Sequence, residues 1–199
     1  MIVNSHNDWD PLEEIIVGHA HHSRIATDIS ARSFSYAPFK KEDVEKLEGT
    51  YPQWVIDEAN EDADGLAKAL EDLGVVVRRP KIIDWDNVNY DIGQGWNTKG
   101  WYSWCPRDLI LPLGDMLIET PTPVRARYFE TKLYEDIMYE AFEDGALWLQ
   151  APKPNLHDDM FQFEDIADKP TLLNHEICFD APNIVRVGKD LLYQVSNSG

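Results

Sequence analysis

Cysteine is nearly absent: Cys105 and Cys178 are the only two in 199 residues. Two are too few for a disulfide framework, and they lack the close pairing of a zinc or redox motif. The expectation is a reduced, cytoplasmic setting. Positive charge is scarce too, with 18 Lys and Arg against 36 Asp and Glu and a formal net charge of −18. A field of that sign repels phosphate, so nucleic acid and anionic membranes are excluded as expected partners and small cations are favoured. Long hydrophobic runs are missing. The strongest, Glu14-Ile15-Ile16-Val17 and Leu109-Ile110-Leu111-Pro112-Leu113, are strand-sized, well below the roughly 18 residues of a membrane helix. The opening residues carry no basic stretch ahead of an apolar one, and the first Arg is Arg24, so no secretory signal is expected. What remains is globular: 43% hydrophobic and 11% aromatic residues exclude a disordered chain, and the length suits a single domain over 1–199.

Local patterns suggest alternating strands and helices. Leu12 to Gly18 reads as a strand, closed by the polar run His19-Ala20-His21-His22-Ser23. Neighbouring residues of an extended chain face opposite ways and no Cys or acidic ligand completes a set, so these histidines read as a solvated or substrate-edge loop in preference to a metal site. Ser33 to Pro52 is irregular, with one helical turn expected around Glu42 to Leu47. From Gln53, Ile56, Ala59, Ala63, Leu66, Ala67, Leu70 and Leu73 recur at helical spacing, Gly74 sits at the C-cap, and Val75-Val76-Val77 follows as a strand. Four tryptophans between Asp84 and Trp104 pack a long loop onto the core or line a ligand mouth, the former being the better reading. A second helix is expected from about Pro123 to Asp144, with Ala146 to Leu149 as the strand after it. Pro152 to Pro170 reads as a long loop or lid.

The informative feature is an internal repeat. Cys105-Pro106-Arg107-Asp108 precedes a hairpin that turns at Gly114-Asp115, and Cys178-Phe179-Asp180 precedes one that turns at Gly188-Lys189. The two copies stand 72 to 74 positions apart. One module is then hairpin, helix, strand, in an α+β fold of repeated ββαβ units. Asp108 and Asp180 occupy equivalent positions. Converging carboxylates suit acid–base work or recognition of a planar cation such as guanidinium, while each alone could simply cap its hairpin. Neither cysteine has an adjacent His or basic cluster that would lower its pKa, so both read as structural.

The segment Asn7-Asp8-Trp9-Asp10-Pro11-Leu12-Glu13-Glu14-Ile15-Ile16-Val17-Gly18, the Pro106-Arg107-Asp108 hairpin, Glu119-Thr120-Pro121 leading to Arg125-Ala126-Arg127-Tyr128-Phe129-Glu130, and Ala151-Pro152-Lys153-Pro154 with Cys178-Phe179-Asp180-Ala181 together resemble the glycine amidinotransferase family of the pentein superfamily. They match only its N-terminal part. The resemblance implies pentein-type ββαβ modules around a pseudo-fivefold axis, incomplete in this chain. It also implies transfer of an amidino group from L-arginine to an amine acceptor of the glycine type through a cysteine intermediate, with no cofactor and no metal. By motif position it makes Asp108 the residue that holds the substrate guanidinium and Asp180 the catalytic partner that orients a histidine. In the family that histidine follows the second Asp motif and the nucleophilic Cys lies near the C-terminus. Here His6, His19, His21, His22, His157 and His175 all precede Asp180, and Cys105 and Cys178 sit at hairpin entrances. The catalytic His and Cys are therefore expected on another segment, a complementary chain or a second copy in a homo-oligomer, and unaided catalysis by this chain is not expected. The alternatives are a non-catalytic truncated pentein acting as a binding or assembly module and, more weakly, a hydrolase of the same superfamily.

Overall fold

The structure is a computed structural model that describes residues 2–33, 46–163 and 170–195. Its described strands are β1 (Glu14–Ile16), β2 (Arg24–Ile25), β3 (Gly49–Thr50), β4 (Val76–Arg78), β5 (Tyr90–Asp91), β6 (Asn97–Thr98), β7 (Ile110–Leu113), β8 (Met116–Glu119), β9 (Leu147–Gln150), β10 (Phe161–Phe163), β11 (Pro170–Leu172), β12 (Ile184–Val187) and β13 (Asp190–Tyr193). The α-helices among the described residues are α1 (Ile29–Ser33), α2 (Gln53–Asp72) and α3 (Glu135–Glu143). This is a mixed α/β fold, and among the described residues no helix is long and apolar enough to cross a membrane.

Two parallel crossovers organise the chain. β1 runs through α2 to β4 and pairs with it in parallel, Glu14 opposite Val76. β8 runs through α3 to β9 in the same way, Met116 opposite Leu147. β7 and β12 each open a four-residue hairpin, paired with β8 and β13, and the second repeats the first 74 positions later (Ile184 against Ile110). The turns demand the same backbone: Gly114 and Gly188 take φ of 59° and 65°, a left-handed conformation in which a Cβ is strained. The core lies where α3 covers β7 and β8. Trp85, Leu109, Ile110, Leu117, Leu133, Tyr134, Met138, Ala141 and Ala146 form one buried cluster. A leucine fully enclosed like Leu109 contributes about 2 kcal/mol by leaving water.

α2 draws its helix propensity from Ala59, Ala63, Ala67 and Ala69 with Glu58, Glu61, Leu66, Lys68 and Leu70 among them. Gly74 follows at φ 86° and carries the chain into β4. Its apolar face is narrower than its spacing predicts. Ile56 and Ala67 are buried, but Leu66 is 54% and Leu73 80% exposed, so the helix rests on the rest of the fold along a thin seam.

Other expectations need correction. The helix predicted from Pro123 begins only at Glu135; ahead of it lie the 3₁₀ turns Arg125–Arg127 and Glu130–Leu133. Arg127 closes the first of these turns and Glu130 opens the second, and their ion pair at 2.7 Å ties the two together. Pro152 to Pro170 is not loop throughout: β10 pairs antiparallel with β11, Phe161 opposite Leu172. Trp85 and Trp96 are buried at 1% and 8% exposure, in line with packing. His19 is no solvated loop residue, being 3% exposed. The helical turn around Glu42 to Leu47 falls largely outside the described residues.

Candidate functional site

Asp108 ends the 3₁₀ turn Pro106–Asp108 that leads to β7, and Asp180 stands immediately before the turn Ala181–Asn183 that leads to β12. The two turns pack against each other. Local bonds fix both: the Asp108 amide donates to the Cys105 carbonyl at 3.1 Å, the Thr120 hydroxyl donates to the Asp108 carbonyl at 3.1 Å, and the Asn183 amide donates to the Asp180 carbonyl at 3.1 Å. The repeat thus delivers two carboxylates to one place.

Between them the structure inserts groups that sequence reasoning left without a role. Arg127, 4% exposed, lies among the carboxylates. Its Nη1 donates to Asp108 Oδ2 at 2.6 Å, its Nε donates to Glu130 Oε2 at 2.7 Å, and its Nη2 donates to Glu130 Oε1 at 2.9 Å and to the Cys105 carbonyl at 3.2 Å. The Tyr102 ring covers the guanidinium at 4.9 Å. Glu130 therefore holds Arg127 by two parallel bonds, and Asp108 holds it by one. The Arg127-x-x-Glu130 spacing was visible in the sequence, and such partners face one another on helical backbone; what the sequence did not show was that the pair is buried.

Electrostatics follow from burial. Glu130 is 1% exposed. Desolvation pushes its carboxyl up to about 7, against the opposing pull of Arg127 and with help from Asp108 and Asp180. Asp180 is pushed up to about 6, again by burial first, with Asp108 adding to it and Arg127 and the Thr122 hydroxyl opposing. One Asp180 oxygen, Oδ1, is buried without a hydrogen-bond partner among the described residues. Arg127 loses solvation on burial but is held well above the ordinary arginine value by Glu130, Tyr102 and Asp108. Two carboxylates thus share one guanidinium, and a third, Asp180, feels its charge without bonding to it. The arrangement can pair with a further planar cation, and it can carry a proton near neutral pH on Glu130 or Asp180.

The cysteines lie close by but are poor nucleophiles. Burial pushes the Cys105 thiol up to about 11, with Asp108 adding to it, and the Cys178 thiol up to about 12, with Glu176 and Asp180 adding. Among the described residues no histidine bonds to Asp108, Arg127, Glu130 or Asp180. His19 sits 2.9 Å from the Ser103 hydroxyl and 3.3 Å from the Lys81 carbonyl, and burial lowers it to about 4. Among the described residues no group of His, Cys, Asp and Glu has the makings of a metal site. Two surface hollows, one of about 410 Å³ beside Glu119, Lys132 and Lys153 and one of about 370 Å³ beside His19 and Arg79, share no lining residue with the carboxylate cluster.

No family model matches the chain. Its homologues are nevertheless inosamine-phosphate and glycine amidinotransferases. It is 43% identical over 199 residues to inosamine-phosphate amidinotransferase 1 of Streptomyces glaucescens, covering all of this chain and 56% of that protein. It is 33% identical to the mitochondrial glycine amidinotransferase of Xenopus laevis, covering 98% of this chain and 49% of that one. Among solved structures, the inosamine-phosphate amidinotransferase of Streptomyces griseus superposes with a TM-score of 0.86 at 40% identity, over 99% of this chain and 56% of that one. An amidinotransferase of the saxitoxin pathway from Microseira wollei superposes with a TM-score of 0.82 at 34% identity, over 98% and 55%. The chain spans about half the length of the relatives it matches.

Proposed function

Because the homologues of this chain are amidinotransferases, we propose that it is the part of such an enzyme that receives the amidino donor, and that the donor is L-arginine. The observation that carries the reading is the convergence of Asp108 and Asp180, both half-buried, on one negatively charged spot with an enclosed, unpartnered carboxylate oxygen on Asp180. Asp108 pairs with the planar guanidinium of the donor, for which a carboxylate offers acceptors in the right plane. Asp180 orients a histidine and holds its tautomer. That histidine and the nucleophilic cysteine belong to a further segment or partner chain, since both local thiols are held in the protonated form. The thiolate attacks the guanidinium carbon, ornithine leaves with a proton from the histidine, and the amidino group stays on sulfur. An acceptor amine then attacks the same carbon, gives up a proton and regenerates the thiolate. The higher identity to the inosamine-phosphate relatives, 43% against 33%, favours an acceptor of that kind over glycine. The chain reads as one pentein-type domain portion, repeated ββαβ modules around a pseudo-fivefold axis, in the reduced cytoplasmic setting its cysteine usage suggests.

The test is calorimetric titration of L-arginine beside single-turnover transfer, in the protein assembled with the segment that brings His and Cys. Asp108→Asn should weaken arginine binding by roughly tenfold to a hundredfold, about 1.5 to 3 kcal/mol for a buried charged hydrogen bond. Asp180→Asn should leave binding near normal and slow the chemistry. Normal binding and normal rates in both variants would reduce the two carboxylates to hairpin caps.

A further inference from the structure

We infer that Glu130 is a positioning residue for the donor site: it takes up the charge of Arg127, so that Asp108 keeps its own negative charge for an incoming cation. The inference rests on the reading of Asp108 as the residue that holds a guanidinium. Its basis is the unequal division of one guanidinium between two carboxylates. Arg127 gives Nε and Nη2 to the two oxygens of Glu130 at 2.7 and 2.9 Å, and only Nη1 to Asp108, on Oδ2, at 2.6 Å. Glu130 is enclosed and beyond the reach of a ligand from solvent, whereas the Asp108 side chain is 28% exposed. The buried acid thus takes the paired bonds, and the accessible one is left with a single bond from Arg127.

The geometry of Arg127 gives the arrangement its consequence. An arginine not held by Glu130 has a free fork of donors beside Asp108, and a carboxylate facing a guanidinium fork is satisfied in both bonds and charge. Such an internal pair competes directly with any ligand guanidinium. The Cys105 carbonyl at 3.2 Å and the Tyr102 ring at 4.9 Å keep Arg127 in place but carry no charge to neutralise it. Glu130 alone among these contacts of Arg127 does so without facing the ligand. Its work is exerted through Arg127 and not on the substrate.

The test is calorimetric titration with L-arginine at pH 8, in four proteins each assembled with the segment that brings His and Cys, with unfolding midpoints recorded beside each. Glu130→Gln should weaken binding at least tenfold, because Arg127 then neutralises Asp108. The double variant Arg127→Gln with Glu130→Gln should bind at least as well as wild type, because the competing guanidinium is gone. A side chain that merely supported the fold would show no such rescue. Asp108→Asn is the control that separates the levels of the argument. If it abolishes binding while Glu130→Gln binds like wild type, the role of Glu130 is overturned and the donor-site reading stands. If Asp108→Asn binds like wild type, or wild type does not bind, both are overturned. Equal weakness of Glu130→Gln and the double variant would also overturn the role of Glu130. Should Glu130→Gln not fold, Glu130→Asp, whose shorter carboxylate meets Arg127 less fully, carries the same test: an intermediate loss is expected, and unchanged binding overturns the inference.

Discussion

Replacing Glu130 by Gln should make the protein relatively more stable as pH rises. The side chain is enclosed, and its carboxyl titrates at about 7 in the native protein against 4.5 for the unperturbed group. An acid whose native pKa lies above its unfolded value binds its proton more tightly when folded. Its contribution is complete below about pH 4.5 and is lost as pH climbs to about 7. The difference is worth about 3 kcal/mol. Gln is nearly the shape of the protonated acid and does not titrate, so wild type and variant should be close in stability at pH 4.5 and should diverge by about 3 kcal/mol in favour of the variant at pH 8. His19 and Asp180 titrate in both proteins and largely drop out of the difference. Urea unfolding of the two proteins at several pH values gives the result directly from the midpoints. A difference that does not change with pH, or one that grows in favour of wild type at pH 8, would refute the reasoning, since it would mean that Arg127 outweighs the burial penalty.

His19 is lowered to about 4 by burial, so the stability it supports is present above pH 6.5 and disappears as pH falls to 4; His19→Gln should flatten acid unfolding over that range, as followed by circular dichroism. Gly18→Ala would place a Cβ inside contact distance of the Ser103 carbonyl oxygen and the Trp104 backbone. Because backbone cannot yield as a flexible side chain does, soluble yield and unfolding midpoint should both collapse, while Gly65→Ala, which meets open space, should raise the midpoint slightly. Cys105 and Cys178, with thiols at about 11 and 12, should resist iodoacetamide at pH 8 until the protein unfolds; rapid labelling of either in the native state, seen by mass spectrometry, would contradict the geometry.

The elements that could be read from the sequence are those decided by local pattern. The α2 helix, the Gly74 cap and the two Gly-centred hairpins are all encoded within a few residues of where they form. That Asp108 and Asp180 each precede a hairpin was equally visible, although the hairpins stand 74 positions apart and the aspartates 72, so that Asp108 ends its 3₁₀ turn and Asp180 precedes its own. The width of the α2 apolar face was not, since exposure of Leu66 and Leu73 depends on what the fold sets beside them. The segment from Pro123 to Leu133 misled for a different reason. Its apolar spacing fits an α-helix, yet its backbone winds in two short 3₁₀ turns, and the one-residue difference in hydrogen-bond register between the two windings leaves little mark on apolar spacing over so few residues. His19 misled because histidine composition says nothing about burial, and the Ser103 hydroxyl that receives it lies 84 positions away.

The same consideration explains why the charge of the site was harder to read than its position. A count of aspartates in matching modules gives two carboxylates, and two buried carboxylates would be expected to neutralise themselves by taking up a proton. The structure adds Arg127 and Glu130, one charge of each sign, which leaves the formal total unchanged but redistributes it. The added acid is the one most deeply enclosed, and the added base is bound chiefly to it. Where Glu130 is ionised the pair is nearly neutral as a unit, and one Arg127 nitrogen is left to donate to Asp108. A site built in this way keeps negative potential at its accessible edge, at the cost of burying an acid whose ionised form opposes folding. A residue that costs stability where Gln would not calls for a reason outside folding, and the hold of Glu130 on Arg127 supplies one.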